Sequence, residues 1–438
     1  MKKVFALVLA AVIFTAPLRW RLTLYSQDYA PVYPDFTDIM IYASTITAFA
    51  AIFFASCISF LNKEFVSFLR HISHRKLLVS WFAISLLIIT NTAISIAPAV
   101  TLFHWAQLVF LATAGGMVTI ILNSDPFDET HTNAKNWVQI GLMLMVAINS
   151  LVGIAQVWLQ HSIGLSWLGE LILDPVWRGM SVLILGDMRF LRGYGLTDHP
   201  NILGGALAMA LIALVICPHK RTNASQILNV LIFALGCAAL CLTFSRAAWL
   251  ALMIGLVVLL LKGYFRHHHQ KLIFMQIGIA VGVITISATL PQFFSRLDTT
   301  SNPVAAAGQL ERGYINAKAM ELFIEHFIFG TGLGTSPIAF KESYPAFPLS
   351  YQPAHIVILV LADELGVFGV IGYAVFVGFG LWRLRSKNAI ALLVAFVAIG
   401  VLDHYPLTSA WGKVWHGVVF GEIVYHHLRP KFIFSFFR

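Results

Sequence analysis

Four short stretches hold the residues whose types could do chemistry. RFLRGYGLTDHPN groups Arg189, Arg192, Asp198, His199 and Asn201; TFSRAAW holds Ser245 and Arg246; ERGY holds Arg312 and Tyr314; PAHIV holds His355. Arginine presents a planar fork of donors that grips phosphate or carboxylate at two points. Histidine, with a pKa near neutrality, suits a general base. Together they point to chemistry on an anionic ligand with one proton to remove. Blander readings stand beside this one. The arginines could pair with Asp174, Asp187 and Asp198, Arg246 could snorkel to lipid headgroups, and His355 could only bond a loop carbonyl at a helix end. A metal site has little support. The stretches contain no D-x-D pair and no H-x-x-x-H helix, and His267–His269 reads as a solvated basic turn. The glycine-rich GTGLG, residues 330–334, could cradle a phosphate on its backbone N–H groups.

The elements that position these residues follow from composition. The chain has 438 residues, 58% hydrophobic and 11% charged, against about a quarter charged in ordinary soluble domains. Such a chain belongs in lipid, where about 20 apolar residues make one span. Apolar runs suggest about twelve spans, near 3–18, 38–61, 77–97, 99–122, 137–159, 201–217, 227–244, 246–261, 272–290, 355–382, 389–402 and 416–427. The first resembles a signal peptide, but Phe14 and Pro17 flank the only cleavage position poorly, so an uncleaved span is expected. The four cysteines fall in or beside apolar runs and read as packing residues.

Charge orients the spans. HRK (74–76), PHKR (218–221) and RLRSK (383–387) all fall on one side, which the positive-inside rule makes cytoplasmic together with both termini. The opposite face carries eight arginines (19, 21, 178, 189, 192, 246, 296, 312) and only three lysines (318, 341, 413). Orientation needs positive charge of either kind, so the arginine excess hints at an anionic ligand there. Two outer segments exceed simple connections: residues 160–200, with RFLRGYGLTDHPN, and residues 291–354, with a predicted amphipathic helix LERGYINAKAMELFIEHF leading to His355. Residues 1–438 therefore read as one polytopic membrane domain. In PAHIVILVLADELGVFG, Asp363 and Glu364 lie too deep on a continuous helix to orient His355. They are expected to bond neighbouring helices or loop backbone.

The set GYGLTDHPN, FSRAAW, ERGY…GTGLG and PAHIVILVLADELGVFG resembles the O-antigen ligase and polymerase superfamily over roughly residues 185–415. His355, Gly366 and Gly369 keep the family's histidine spacing, with Ile356 where the family has a small polar residue; LDHYPLT (402–408) also looks like the family's. The resemblance implies an all-α, GT-C-like membrane fold with a long, partly helical periplasmic loop. It also implies a metal-independent, inverting glycosyltransferase without cofactor at the outer face of the bacterial inner membrane. The donor would be a glycan on undecaprenyl diphosphate, and the acceptor a lipid A core or a growing glycan. His355 and Arg312 would be catalytic, and Arg189, Arg192, Arg246 and Arg312 would bind the donor diphosphate. A ligase is the leading expectation, with a polymerase or a protein O-oligosaccharyltransferase as alternatives. A transporter of lipid-linked sugars would need ionisable groups near the midplane of several spans, and most spans lack them; a scaffold would tolerate loss of His355. Net charge of +9 serves orientation and gives no evidence for nucleic-acid binding.

Overall fold

The computed structural model describes residues 2–26, 32, 34–61, 75–123, 129–217, 223–266, 269–298, 303–347, 350–383 and 386–428. Loops 62–74 and 218–222, and His267 and His268, lie outside the described residues. A helix lies at every apolar run read from the sequence, from Lys2–Thr15 to Ala410–Leu428. Among the described residues, five helices, including Ala134–Leu159 and Val357–Trp382, have the length and apolar composition of a membrane crossing; six further apolar helices are shorter. The described fold is mostly helical, as the all-α membrane class requires.

Helix Pro200–Ile216 stands at the centre. Its residues from Leu203 to Leu211 are buried on every face, as expected of a helix apolar all round. It packs against helices Glu129–Leu159, Asn223–Leu242, Arg246–Leu261 and Lys387–Leu402. Helix Ala410–Leu428 runs closest along Pro98–Asn123. That approach depends on absent side chains: a Cβ on Gly417 would lie 1.9 Å from the Ala112 carbonyl oxygen. Small residues of this kind let helices meet in a solvent that offers no hydrophobic drive.

The departures from the sequence reading lie outside the bundle. Residues 39–42, expected at the start of a span, form strand β2 (Ile39–Tyr42), paired antiparallel with β1 (Arg21–Tyr25). The runs IMIY and RLTLY suit the β region, so pairing wins over extending the following helix, which starts at Ala43. In the 160–200 segment, β3 (Val182–Leu185) and β4 (Met188–Leu191) form a second hairpin. The two residues between them are Gly186 and Asp187, and Gly186 at φ +60° supplies the left-handed turn that two-residue hairpins need. The expected loop helix is present and longer than predicted, Pro303–Glu325.

Candidate active site

The connections at one end of the bundle meet each other. The Arg19 N–H donates to the Leu196 carbonyl, and the Gly193 N–H to that of Leu242. The loop GYGL is held from within helix Glu129–Leu159 by two buried amides. Gln156 Oε1 accepts from the N–H groups of Tyr194 and Gly195 at 3.1 and 2.8 Å, and Asn149 Oδ1 accepts from Leu196 N–H at 3.1 Å. This fixes Arg192 and His199 over the start of helix Pro200–Ile216. There His199 Nδ1 caps the helix by accepting from Asn201 N–H at 3.1 Å. Burial, then the charge of Arg192, lowers the His199 pKa to about 3, so the ring is neutral.

Turn 243–245 holds two guanidiniums. Its Phe244 is left-handed at φ +49° and buried against Leu183. Arg192 Nε donates to the Thr243 carbonyl at 2.8 Å, and Arg296 Nε to the Phe244 carbonyl at 2.9 Å. Arg192 also donates to Ser181 Oγ at 2.6 Å and to Asn201 Oδ1 at 2.7 Å. Arg246 and Arg312 make no side-chain hydrogen bond or ion pair among the described residues.

These four arginines line one cavity of about 360 Å³ whose wall contains no carboxylate among the described residues. Three of the four guanidiniums are destabilised by burial and by their neighbours. Arg296 is lowered to about 10, by burial first and then by Arg246 and Arg312; Arg192 is lowered by burial, Arg296 and Arg312. A dianionic group placed among them would relieve that repulsion. A larger cavity of about 570 Å³ adjoins it and is lined by His355, Asp403 and His404.

His355 precedes helix Val357–Arg383, which begins two residues after the expected start at 355. Its N–H donates to Asn316 Oδ1 at 2.8 Å. Asn316 is four residues after Arg312 on the loop helix, hence on the same face, so one helix positions both residues. His355 Nδ1 is buried without a hydrogen-bond partner and lies 3.7 Å from Asp403 Oδ1. At that distance the contact is electrostatic rather than a hydrogen bond. Asp403 accepts from Asn201 Nδ2 at 2.8 Å and from the His404 N–H at 2.9 Å. Burial would raise its carboxyl, but the pull of His355, His404 and Arg312 outweighs it and holds the group well below the usual carboxylate range. A chain Arg192–Asn201–Asp403–His355 thus links the arginine cavity to the histidine.

Arg192, Arg246, Arg312 and His355 all reach this region, and Arg312 lines both cavities. Arg189 lines neither; it donates to the carbonyls of Pro175 and Trp177. The Asp198 pairing suggested by the sequence exists, with Arg19 and Arg21 as partners rather than Arg189 or Arg192. Asp363 and Glu364 bond the glycine-rich turn: Ser336 Oγ donates to Asp363 Oδ2 at 2.7 Å, and the Gly332 N–H to the Glu364 carbonyl at 3.0 Å. That corrects the phosphate-cradle reading of GTGLG. Its Thr331, Gly332 and Leu333 N–H groups donate to Asp363, Glu364 and Asn91, and are not turned toward a ligand. Sequence reasoning gave no role to Arg296, Asp403 or His404. The signal was available in LDHYPLT, where an aspartate closes an apolar run. His355, Asp403 and His404 also place ligand atoms within 4.8 Å of one another, a set that could hold a metal ion.

Residues 231–374 match the family model described as O-antigen ligase. That match supports the O-antigen ligase superfamily. The segment carries Arg246, Arg296, Arg312 and His355, while Arg192, Asn201 and Asp403 come from outside it. No curated protein and no solved structure matches the chain. The match supports a general glycosyltransferase-like enzyme role, of the ligase or polymerase kind.

Proposed function

We propose that the protein is an O-antigen ligase-like glycosyltransferase. It moves a glycan from undecaprenyl diphosphate to a sugar hydroxyl of a lipid A core-type acceptor, without metal, at the periplasmic face of the bacterial inner membrane. In this reading the bundle has twelve spans, GT-C-like, with both termini cytoplasmic. The observation that carries it is the cavity lined by Arg192, Arg246, Arg296 and Arg312, with no carboxylate among the described residues of its wall, next to the buried His355–Asp403 pair.

The acceptor oxygen attacks the anomeric carbon as the bond from that carbon to the diphosphate oxygen breaks. A single displacement inverts the anomeric configuration. The acceptor proton passes to His355, and Asp403 stabilises the imidazolium that forms. Negative charge grows on the leaving diphosphate, where Arg246 and Arg312 are free to meet it, and Arg192 and Arg296 add fixed positive charge. Donors preorganised at developing charge need no reorganisation as the reaction proceeds. Arg189, on the outer hairpin, is assigned to the approach of the lipid diphosphate rather than to its seat.

The test is reconstitution. Purified protein in vesicles with undecaprenyl-diphosphate-linked glycan and a lipid A core acceptor should release one undecaprenyl diphosphate per glycan transferred, with inverted linkage. Movement of intact donor across the bilayer without transfer would replace the enzyme with a transporter. Glycan-to-glycan extension on the carrier would make it a polymerase.

A further inference from the structure

The two cavities share four wall residues: Ser181, His199, Arg312 and Gly308. The first three have partners or charges that explain them. Gly308 has neither. It sits inside helix Pro303–Glu325, where glycine costs about 1 kcal/mol relative to alanine. Its φ is not left-handed, so no turn demands it, and a Cβ there would meet no heavy atom within 4 Å, so no close packing demands it. What the glycine leaves is open space at the junction, one helical turn before Arg312.

The chemistry requires a junction. In a glycosyl diphosphate only one oxygen separates the reacting carbon from the first phosphorus. The phosphate among the arginines and the carbon near His355 must therefore pass through whatever joins the cavities. Resting on the glycosyl-transfer reading, we infer that one lipid-linked donor lies across both cavities. Its diphosphate sits in the arginine cavity and its first sugar beside His355, and Gly308 is the specificity-determining throat for the sugar–phosphate linkage.

Gly313 is the control. It lies on the same helix, a Cβ there also meets nothing within 4 Å, and it lines neither cavity. Gly308→Ala, Gly308→Val, Gly308→Leu and Gly313→Leu are assayed for transfer, donor KM and thermal unfolding in the full-length protein. Transfer should fall stepwise with side-chain volume at 308, by at least about 100-fold for leucine, equivalent to about 2.7 kcal/mol. The donor KM should rise, the unfolding temperature should not fall, and Gly313→Leu should match wild type. Should the leucine variant not fold, the alanine and valine steps decide. A flat rate across the 308 series, or equal losses at 308 and 313, overturns the throat. His355→Ala measured alongside separates the failures: if it is inactive while the 308 series is flat, only the throat falls; if it is active, the transfer reading falls with it.

Discussion

Replacing Asp403 with asparagine tests the electrostatic part of the mechanism. Oδ2 now accepts from Asn201 Nδ2 and Oδ1 from the His404 N–H; the single amide oxygen can keep one of these, and thermal unfolding measured beside the assay checks that the fold persists. What disappears is a negative charge 3.7 Å from His355 Nδ1. With an effective dielectric of about 20, a unit charge pair at that separation is worth roughly 4 kcal/mol. The imidazolium exists only after proton transfer begins, so nearly all of this falls on the transition state. About 4 kcal/mol is close to three orders of magnitude, within the roughly 10²–10⁴-fold contribution of general-base catalysis. Steady-state transfer by reconstituted Asp403→Asn should therefore show kcat down by about 10²–10³ with donor KM changed less than about threefold. A rate within threefold of wild type would refute the pairing.

The arginines should divide by their partners. Arg192→Ala leaves the Thr243 carbonyl, Ser181 Oγ and Asn201 Oδ1 short of a donor in the interior; at about 1–3 kcal/mol each before relaxation, roughly 3–5 kcal/mol of stability should be lost. Arg246→Ala and Arg312→Ala should leave thermal unfolding nearly unchanged while weakening inorganic diphosphate binding in a salt-dependent way; equal destabilisation by all three would contradict this. On acidification, His404, lowered to about 4 by burial first, and His199, lowered to about 3 by burial and Arg192, stay neutral in the folded protein while the unfolded chain takes protons below its pKa of about 6.5. Their contribution is thus complete above about pH 6.5 and is lost downward, at up to about 1.4 kcal/mol per pH unit for each ring. A stability curve in detergent that stays flat from pH 7 to 4 would oppose it. Prolonged chelation followed by assay should leave transfer unchanged; loss restored by added divalent ion would make His355, Asp403 and His404 a metal centre.

The helical bundle was legible because lipid imposes one solution on long apolar runs: each must satisfy its backbone internally. The two hairpins were not, since IMIY merges with the apolar run after it and VLIL with the loop around it. Arg192, Arg246, Arg312 and His355 could be picked out from residue type and sidedness. Their division of labour could not. Arg192 is saturated by a turn carbonyl 51 residues away and by a serine and an amide 11 and 9 residues away, and spacing carries no trace of these pairings. Asp403 lies 48 positions after the histidine it faces, so only folding brings the pair together. GTGLG misled for a local reason. Glycines serve close backbone approach as readily as phosphate binding, and here Gly330 lies where a Cβ would come within 2.2 Å of the Glu364 backbone.

The most direct test is an extraction of lipid-linked glycans from cells whose only copy carries His355→Ala, with expression verified. The expected result is finished glycan accumulating on the carrier lipid and none on the cell-surface acceptor. Unchanged glycans in both pools would contradict the role of His355 as the base of a glycan transfer.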